Sequence, residues 1–201
     1  MASRRFQPLA TVLIGLPCAA TAAQGVSSVP KPNQSTPDRE ERQSGIIYGD
    51  DHAYSLTAPE GWVLDNQVWA DQGIFAVFYP KRSSVKGNWV AYTRVMGLNP
   101  KGLLAYALED LEGMRQESPD YSWTRLPDIK TSDKNTAIVF STSGDSLGNA
   151  ELLAYIQAPT HVIFIGAVTR TPKDLDQLKA AFKSLVESYS WFTDKVLNTT
   201  R

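Results

Sequence analysis

Three features of the sequence predict an α+β fold, with a largely antiparallel sheet and two helices docked on it. Short β-rich segments alternate with turn-rich stretches, at spacings that suit hairpins rather than long crossovers. Two longer segments carry apolar residues at helical period. Each of those stripes needs a sheet face to bury it. The competing architecture is a β-sandwich with two peripheral helices, and the two long, strongly striped helices argue against it.

The elements follow in order. Ile46-Ile47-Tyr48 leads into a turn at Gly49-Asp50-Asp51, and Ala53 to Thr57 then alternates, with Tyr54 and Leu56 on one face. Pro59-Glu60-Gly61 is a turn, after which Trp62-Val63-Leu64 is extended. Ile74 to Tyr79 is apolar throughout and β-rich, which predicts a central strand covered on both faces. A basic loop from Pro80 to Gly87 separates it from a strand at Trp89 to Met96.

The first helix starts with Asn99 as N-cap and Pro100 at the first helical position, and it ends at Pro119. Its stripe is Leu104, Leu108, Leu111 and Arg115, flanked by Ala107 and Met114, with Asp110 and Glu112 off it. Strands are then expected at Tyr121–Ile129, Ala137–Thr142, Glu151–Gln157 and Val162–Val168. The last helix has Thr171 as N-cap, Pro172 at the first position and Asp174 in the first turn. Leu175, Leu178, Phe182, Leu185 and Tyr189 form its buried stripe, while Lys173, Lys179 and Lys183 face water.

Ahead of this domain lies a targeting pattern. Arg4 and Arg5 precede an apolar run from Leu9 to Leu16, then Pro17 and a small-residue exit through Ala23. The run is shorter than the roughly 20 apolar residues that span a bilayer. It predicts a signal peptide cleaved after Ala22 or Ala23 and a periplasmic or secreted protein. An uncleaved anchor or buried helix, a lipid-modified Cys18 and a twin-arginine signal are the alternatives; Pro17 before Cys18 disfavours the second. The organisation is therefore a signal peptide at 1–23, a Ser/Pro-rich disordered leader at 24–44, one domain at 45–193 and a frayed tail at 194–201.

Cleavage removes Cys18, the one cysteine, and with it any internal disulfide or thiolate nucleophile. The domain must be held by its core, which is feasible for a chain of about 150 residues. The formal net charge of −1 has too little sign excess to attract nucleic acid, so no nucleic-acid partner is expected. No integral membrane segment remains after cleavage.

The search for chemistry returns no catalytic constellation. His52 and His161 lie far apart in sequence, each beside a strand; a zinc site would need them to converge with Asp50 or Asp51, and nothing in the spacing supports that. Turn or exposed positions are expected for them, and turn roles for the Asp50-Asp51 pair in place of calcium binding. No Gly-x-Ser-x-Gly elbow and no phosphate-binding glycine loop occurs. No metal and no cofactor is expected. Paired catalytic carboxylates stay open, because distance is invisible in sequence. Asn198-Thr199-Thr200 matches a glycosylation sequon, which matters only in a eukaryotic secretory pathway. The one local basic cluster, Lys81, Arg82 and Lys86, lies beside Trp89 and is the candidate partner-binding surface: an aromatic anchor with a charged rim. Such a loop is also an ordinary solvated turn, and Trp89, which begins a strand, also suits the core.

Tyr54 to Trp62, an extended strand followed by Pro-x-Gly-Trp, resembles the start of PsbP-like and Mog1-like domains, including bacterial DcrB-type proteins. The Val162–Val168 strand, the Thr171-Pro172 cap and the helix end from Ala181 to Tyr189 are similar to the same group, so the likeness runs from Ile46 to Phe192. The resemblance implies an antiparallel sheet between helices, an α/β/α sandwich. It also implies non-enzymatic work, since such domains serve as extrinsic photosystem subunits, as a partner of a small GTPase, or as envelope proteins and adaptors. No catalytic motif carries over. The function expected is an exported, non-enzymatic binding or accessory module of the bacterial cell envelope, with an envelope protein or small ligand as partner. A hydrolase with a site assembled from distant residues, or a structural subunit of a membrane complex, is the alternative.

Overall fold

The computed structural model describes residues 43–49, 51–98 and 100–196. The expected signal peptide, nearly all of the expected leader, Asp50, Asn99 and the end of the expected tail, sequon included, lie outside these residues. Among the described residues, ten strands and two α-helices follow one another in the order β1 (Ser44–Tyr48), β2 (Ala53–Thr57), β3 (Trp62–Asp65), β4 (Val77–Pro80), β5 (Trp89–Gly97), α1 (Leu103–Glu117), β6 (Ser122–Lys130), β7 (Thr136–Ser143), β8 (Ala150–Gln157), β9 (His161–Thr169), α2 (Leu175–Ser188) and β10 (Ser190–Thr193). All sheet pairings are antiparallel, in a seven-stranded sheet β3-β4-β5-β9-β8-β7-β6 and a three-stranded sheet β1-β2-β10.

Alternation along the central strands divides the core into two faces. Leu152, Ala154 and Ile156 of β8 and Ile163, Ile165 and Ala167 of β9 join Leu178, Phe182, Leu185 and Val186 of α2 in the main core. Leu153 and Tyr155 of β8 and Val162 and Phe164 of β9 point the other way and meet Tyr106, Ala107 and Leu111 of α1. One helix on each face of the large sheet is the α/β/α arrangement expected. The small sheet packs on the α2 side through Ile47, Tyr54 and Leu56. Its Tyr54 hydroxyl meets Thr93 Oγ1 of β5 at 2.7 Å, tying the two sheets together.

The α2 stripe is as expected, with Leu178, Phe182 and Leu185 buried and Lys173, Lys179 and Lys183 exposed. Its start differs in detail. Pro172–Asp174 forms a 3-10 turn before the α-helix, and the Thr171 side chain caps nothing. Thr169 Oγ1 accepts the Thr171 N–H instead, at 3.2 Å.

The first helix departs further. It begins at Leu103, after Gly102 at φ 90°, so Pro100 sits in the preceding turn and not at the first helical position. A left-handed glycine cannot continue a right-handed helix, which sets the start there. The buried face is also rotated: Tyr106, Ala107 and Leu111 are buried, while Leu104 and Leu108 are 52 % and 41 % exposed. The apolar arc of this helix is wide, and the large ring of Tyr106, whose hydroxyl reaches Met96 Sδ at 3.3 Å, sets which side docks.

Two strand assignments change as well. Of Ile74–Tyr79, only the part from Val77 enters β4; Ile74 makes an isolated bridge with Trp69, and Phe75 is exposed. The strand lies second from one edge of the sheet, not at its centre, though both faces are covered, by Phe78 in the main core and Val77 in a satellite cluster. At the other end, β10 was not expected. The loop between β6 and β7 holds it: Asp133 accepts the Trp191 N–H at 3.0 Å, and Ser132 Oγ donates to the Tyr189 carbonyl at 2.7 Å.

Candidate functional site

Two hairpin tips and one short strand meet at one end of the β5–β9 pair. In the first tip the Gly49 N–H donates to the His52 carbonyl at 2.9 Å, and in the second the Ala158 N–H donates to the His161 carbonyl at 2.9 Å. Each histidine therefore stands where the chain leaves a closed turn and enters a strand. His161 pairs with Gly97 across β5–β9, and β10 runs beside β2 to add Trp191. The expectation that the two histidines stand apart is overturned: their ring centroids are 4.9 Å apart. Trp191 lies 6.1 Å from the His52 ring, stacked, and 5.9 Å from the His161 ring.

Asp51 completes the group. Its Oδ1 accepts from His52 Nδ1 at 2.9 Å and lies 3.4 Å from His161 Nε2. One ligand atom each from Asp51, His52 and His161 lies within 4.8 Å of the others. The histidine side chains are only 13 % and 15 % exposed, whereas that of Asp51 is 66 % exposed, so the group opens to solvent on the carboxylate side. The His52 hydrogen bond, opposed by slight desolvation and aided by His161, holds the Asp51 carboxyl below its ordinary value. The second nitrogen of His161 is engaged too, with Nδ1 2.8 Å from Thr160 Oγ1. The sequence expectation of no metal rested on the separation of these residues, which the fold removes.

The basic loop lies at the opposite end of the same strand pair, where Trp89 stands across from Thr169. From His161 to Thr169 is eight residue steps along β9, about 27 Å of extended chain. Lys81, Arg82 and Lys86 are all exposed. Trp89 is not exposed with them; it is half-buried against the main core, the alternative the sequence also allowed. Behind the loop, Asn88 Nδ2 donates to Asp174 at 3.1 Å and the Arg170 N–H to the Asn88 carbonyl at 3.0 Å, fixing its base to the start of α2.

A third polar group lies on the α1 face. Asp110 of α1 accepts from the Tyr155 hydroxyl at 2.7 Å, and burial raises its carboxyl above the ordinary range against the pull of that bond and of Arg94. On β8, burial pushes Glu151 up to about 7, with the carboxylates of Asp145 and Asp110 adding to the rise.

No family model matches the chain, and no curated protein matches it. Solved structures do. Cyanobacterial PsbP (CyanoP) from Synechocystis aligns with a TM-score of 0.51 at 14 % identity, over 79 % of this chain and 98 % of that one. The Ran-binding protein Mog1p of Saccharomyces cerevisiae aligns at 0.47 and 11 % identity, over 75 % and 95 % of the two chains. LpqN of Mycobacterium tuberculosis, described as involved in cell envelope biogenesis, aligns at 0.49 and 13 % identity, over 76 % and 92 %. The alignment with CyanoP shows a PsbP-like fold, as the strand-and-turn resemblance implied; at this identity the likeness concerns the fold alone. Among the described residues, no helix is long and apolar enough to cross a membrane.

Proposed function

We propose that this chain is an exported accessory module of the bacterial cell envelope, one that binds a protein or small ligand and does no chemistry on it. The observation that carries this reading is a set of exposed large apolar side chains on the two edge strands of the small sheet. Ile46 and Tyr48 on edge strand β1 are 49 % and 59 % exposed, and Phe192 on β10, the other edge, is 52 % exposed. Large apolar groups exposed on the edges of one sheet suit contact with another macromolecule, with aromatic side chains as anchors. The signal-peptide pattern supports export, and the PsbP-like fold is compatible with accessory work.

The test is capture from envelope extract by the mature protein, after N-terminal sequencing of the envelope-fraction material confirms a start at Ala23 or Gln24. Tyr48→Ser with Phe192→Ser should abolish capture if these sheet edges are the contact. The triple change of Lys81, Arg82 and Lys86 to Ala should abolish it if the basic loop is. Both should leave Tm nearly unchanged. Capture that survives both sets, or an intact Met1 on cytoplasmic protein, would overturn the reading. The hydrolase alternative draws on the convergence of Asp51, His52 and His161; metal-dependent hydrolysis of an ester by the purified protein, lost in His161→Gln, would favour it.

A further inference from the structure

We propose that Asp51, His52 and His161 form a binding site for one divalent transition-metal ion of the zinc type. Tetrahedral coordination at bond lengths near 2.0 Å places neighbouring ligand atoms roughly 3.3 Å apart. Asp51 Oδ1 lies 2.9 Å from His52 Nδ1 and 3.4 Å from His161 Nε2, on either side of that spacing. The three groups stay within 4.8 Å of one another, so small side-chain rotations close the site without moving the backbone. On binding, the ion takes the place of the proton between His52 Nδ1 and Asp51, and the neutral His52 ring carries its one proton on Nε2.

The surroundings orient the ligands for this role. A metal-binding imidazole commonly has its second nitrogen held by a hydrogen-bonding partner that fixes the ring. Thr160 Oγ1 lies 2.8 Å from Nδ1 of His161; in the tautomer a metal requires at Nε2, it accepts the Nδ1–H and the Nε2 lone pair is left for the ion. The His52 ring is held by packing. A Cβ on Gly49 would come within 2.1 Å of its Cε1, so only glycine at that position lets the ring lie over the turn. Trp191 stacks on the His52 ring and lies tilted against that of His161. Two imidazoles and one carboxylate select a borderline cation, zinc, copper, nickel or cobalt, over calcium or magnesium, which take oxygen ligands. Three protein ligands leave one position for water or for a donor from a partner.

The experiment uses the mature protein without a histidine tag, titrated with Zn(II) by calorimetry and with Co(II) by visible absorption. The expected result is saturable uptake of one ion per chain, with an intense Co(II) band of tetrahedral type. Asp51→Asn, at an exposed position that leaves folding intact, and His161→Gln should each weaken Zn(II) binding about 100-fold, and Thr160→Ala about 10-fold. Cu(II) should quench fluorescence in the wild type, and Trp191→Phe should remove most of that quenching. Calcium should produce no heat. Absence of saturable Zn(II) uptake by the wild type would overturn the proposal. So would uptake that Asp51→Asn and His161→Gln, folded by circular dichroism, leave unchanged.

Discussion

Replacing Glu151 by Gln tests the electrostatics of the α1 face. Glu151 lies on β8 between Thr142 and Val168 and points to the same side as Leu153 and Tyr155. Desolvation there, reinforced by Asp145 and Asp110, raises its carboxyl from 4.5 to about 7. A carboxyl raised on folding binds its proton more tightly in the folded than in the unfolded chain. Its contribution is therefore neutral below the unfolded value and becomes destabilising as pH rises through the folded one. The interval from 4.5 to about 7, at about 1.4 kcal/mol per pH unit, corresponds to about 3 kcal/mol of lost stability in full. Part of that loss is already present at about pH 5, so between about pH 5 and about pH 9 the wild type should lose about 2–3 kcal/mol more than Glu151→Gln. Asp110 titrates in the same direction but is present in both proteins, and Asp51 and Asp65, whose carboxyls are lowered, titrate at more acidic pH. The assay is urea denaturation at a series of pH values, with the two stability curves subtracted. Curves that run parallel across this range would refute the assignment, and so would a variant less stable than the wild type at high pH.

Two further predictions concern the core. Phe182, buried between α2 and the large sheet, should cost about 3–5 kcal/mol when changed to Ala, whereas Lys183→Ala, at an exposed position, should cost little; equal small effects in denaturant melts would mean the helix does not dock through this stripe. Tyr54→Phe strands the buried Thr93 hydroxyl and should cost about 1–3 kcal/mol, while adding Thr93→Val should recover much of that loss; a double variant as unstable as the sum of the singles would remove the hydrogen bond from the junction between the sheets.

The elements legible in the sequence were those whose local signals agreed with one another. In α2 the apolar spacing from Leu175 to Tyr189 is narrow enough to admit a single buried face, and the lysines occupy the remaining one. The strands from β7 to β9 announced themselves by length and intervening turns, β7 and β9 also by β-branched content. In α1 the signals diverged. Leucines at 103, 104, 108 and 111 cover a broad arc, and the docked side depends on where the Tyr106 ring finds room beside Met96, a contact made across tertiary structure. Strand β10 has four residues and no periodicity to display, and its pairing depends on Asp133 and Ser132 in a distant loop.

The histidine cluster was hidden for the same physical reason, and what signal existed was positional. His52 follows Gly49-Asp50-Asp51 and His161 follows Ala158-Pro159-Thr160, so both stand at the exit of a turn and the entry of a strand. Residues at hairpin tips gather wherever the ends of neighbouring sheets coincide, and sheet ends coincide only once the strand order is known. Here the small sheet adds its β1–β2 tip to the β8–β9 tip of the large one, and β10 closes the junction with Trp191. Because Asp133 anchors the Trp191 backbone, the β6–β7 loop is a structural support of the cluster although none of its residues belongs to it. The basic loop is built at the far end of β5 and β9 and shares none of these supports. Variants of the two surfaces therefore act through separate parts of the fold. An effect of Asp133→Ala on Zn(II) uptake without an effect on capture through Lys81, Arg82 and Lys86 is what this separation requires.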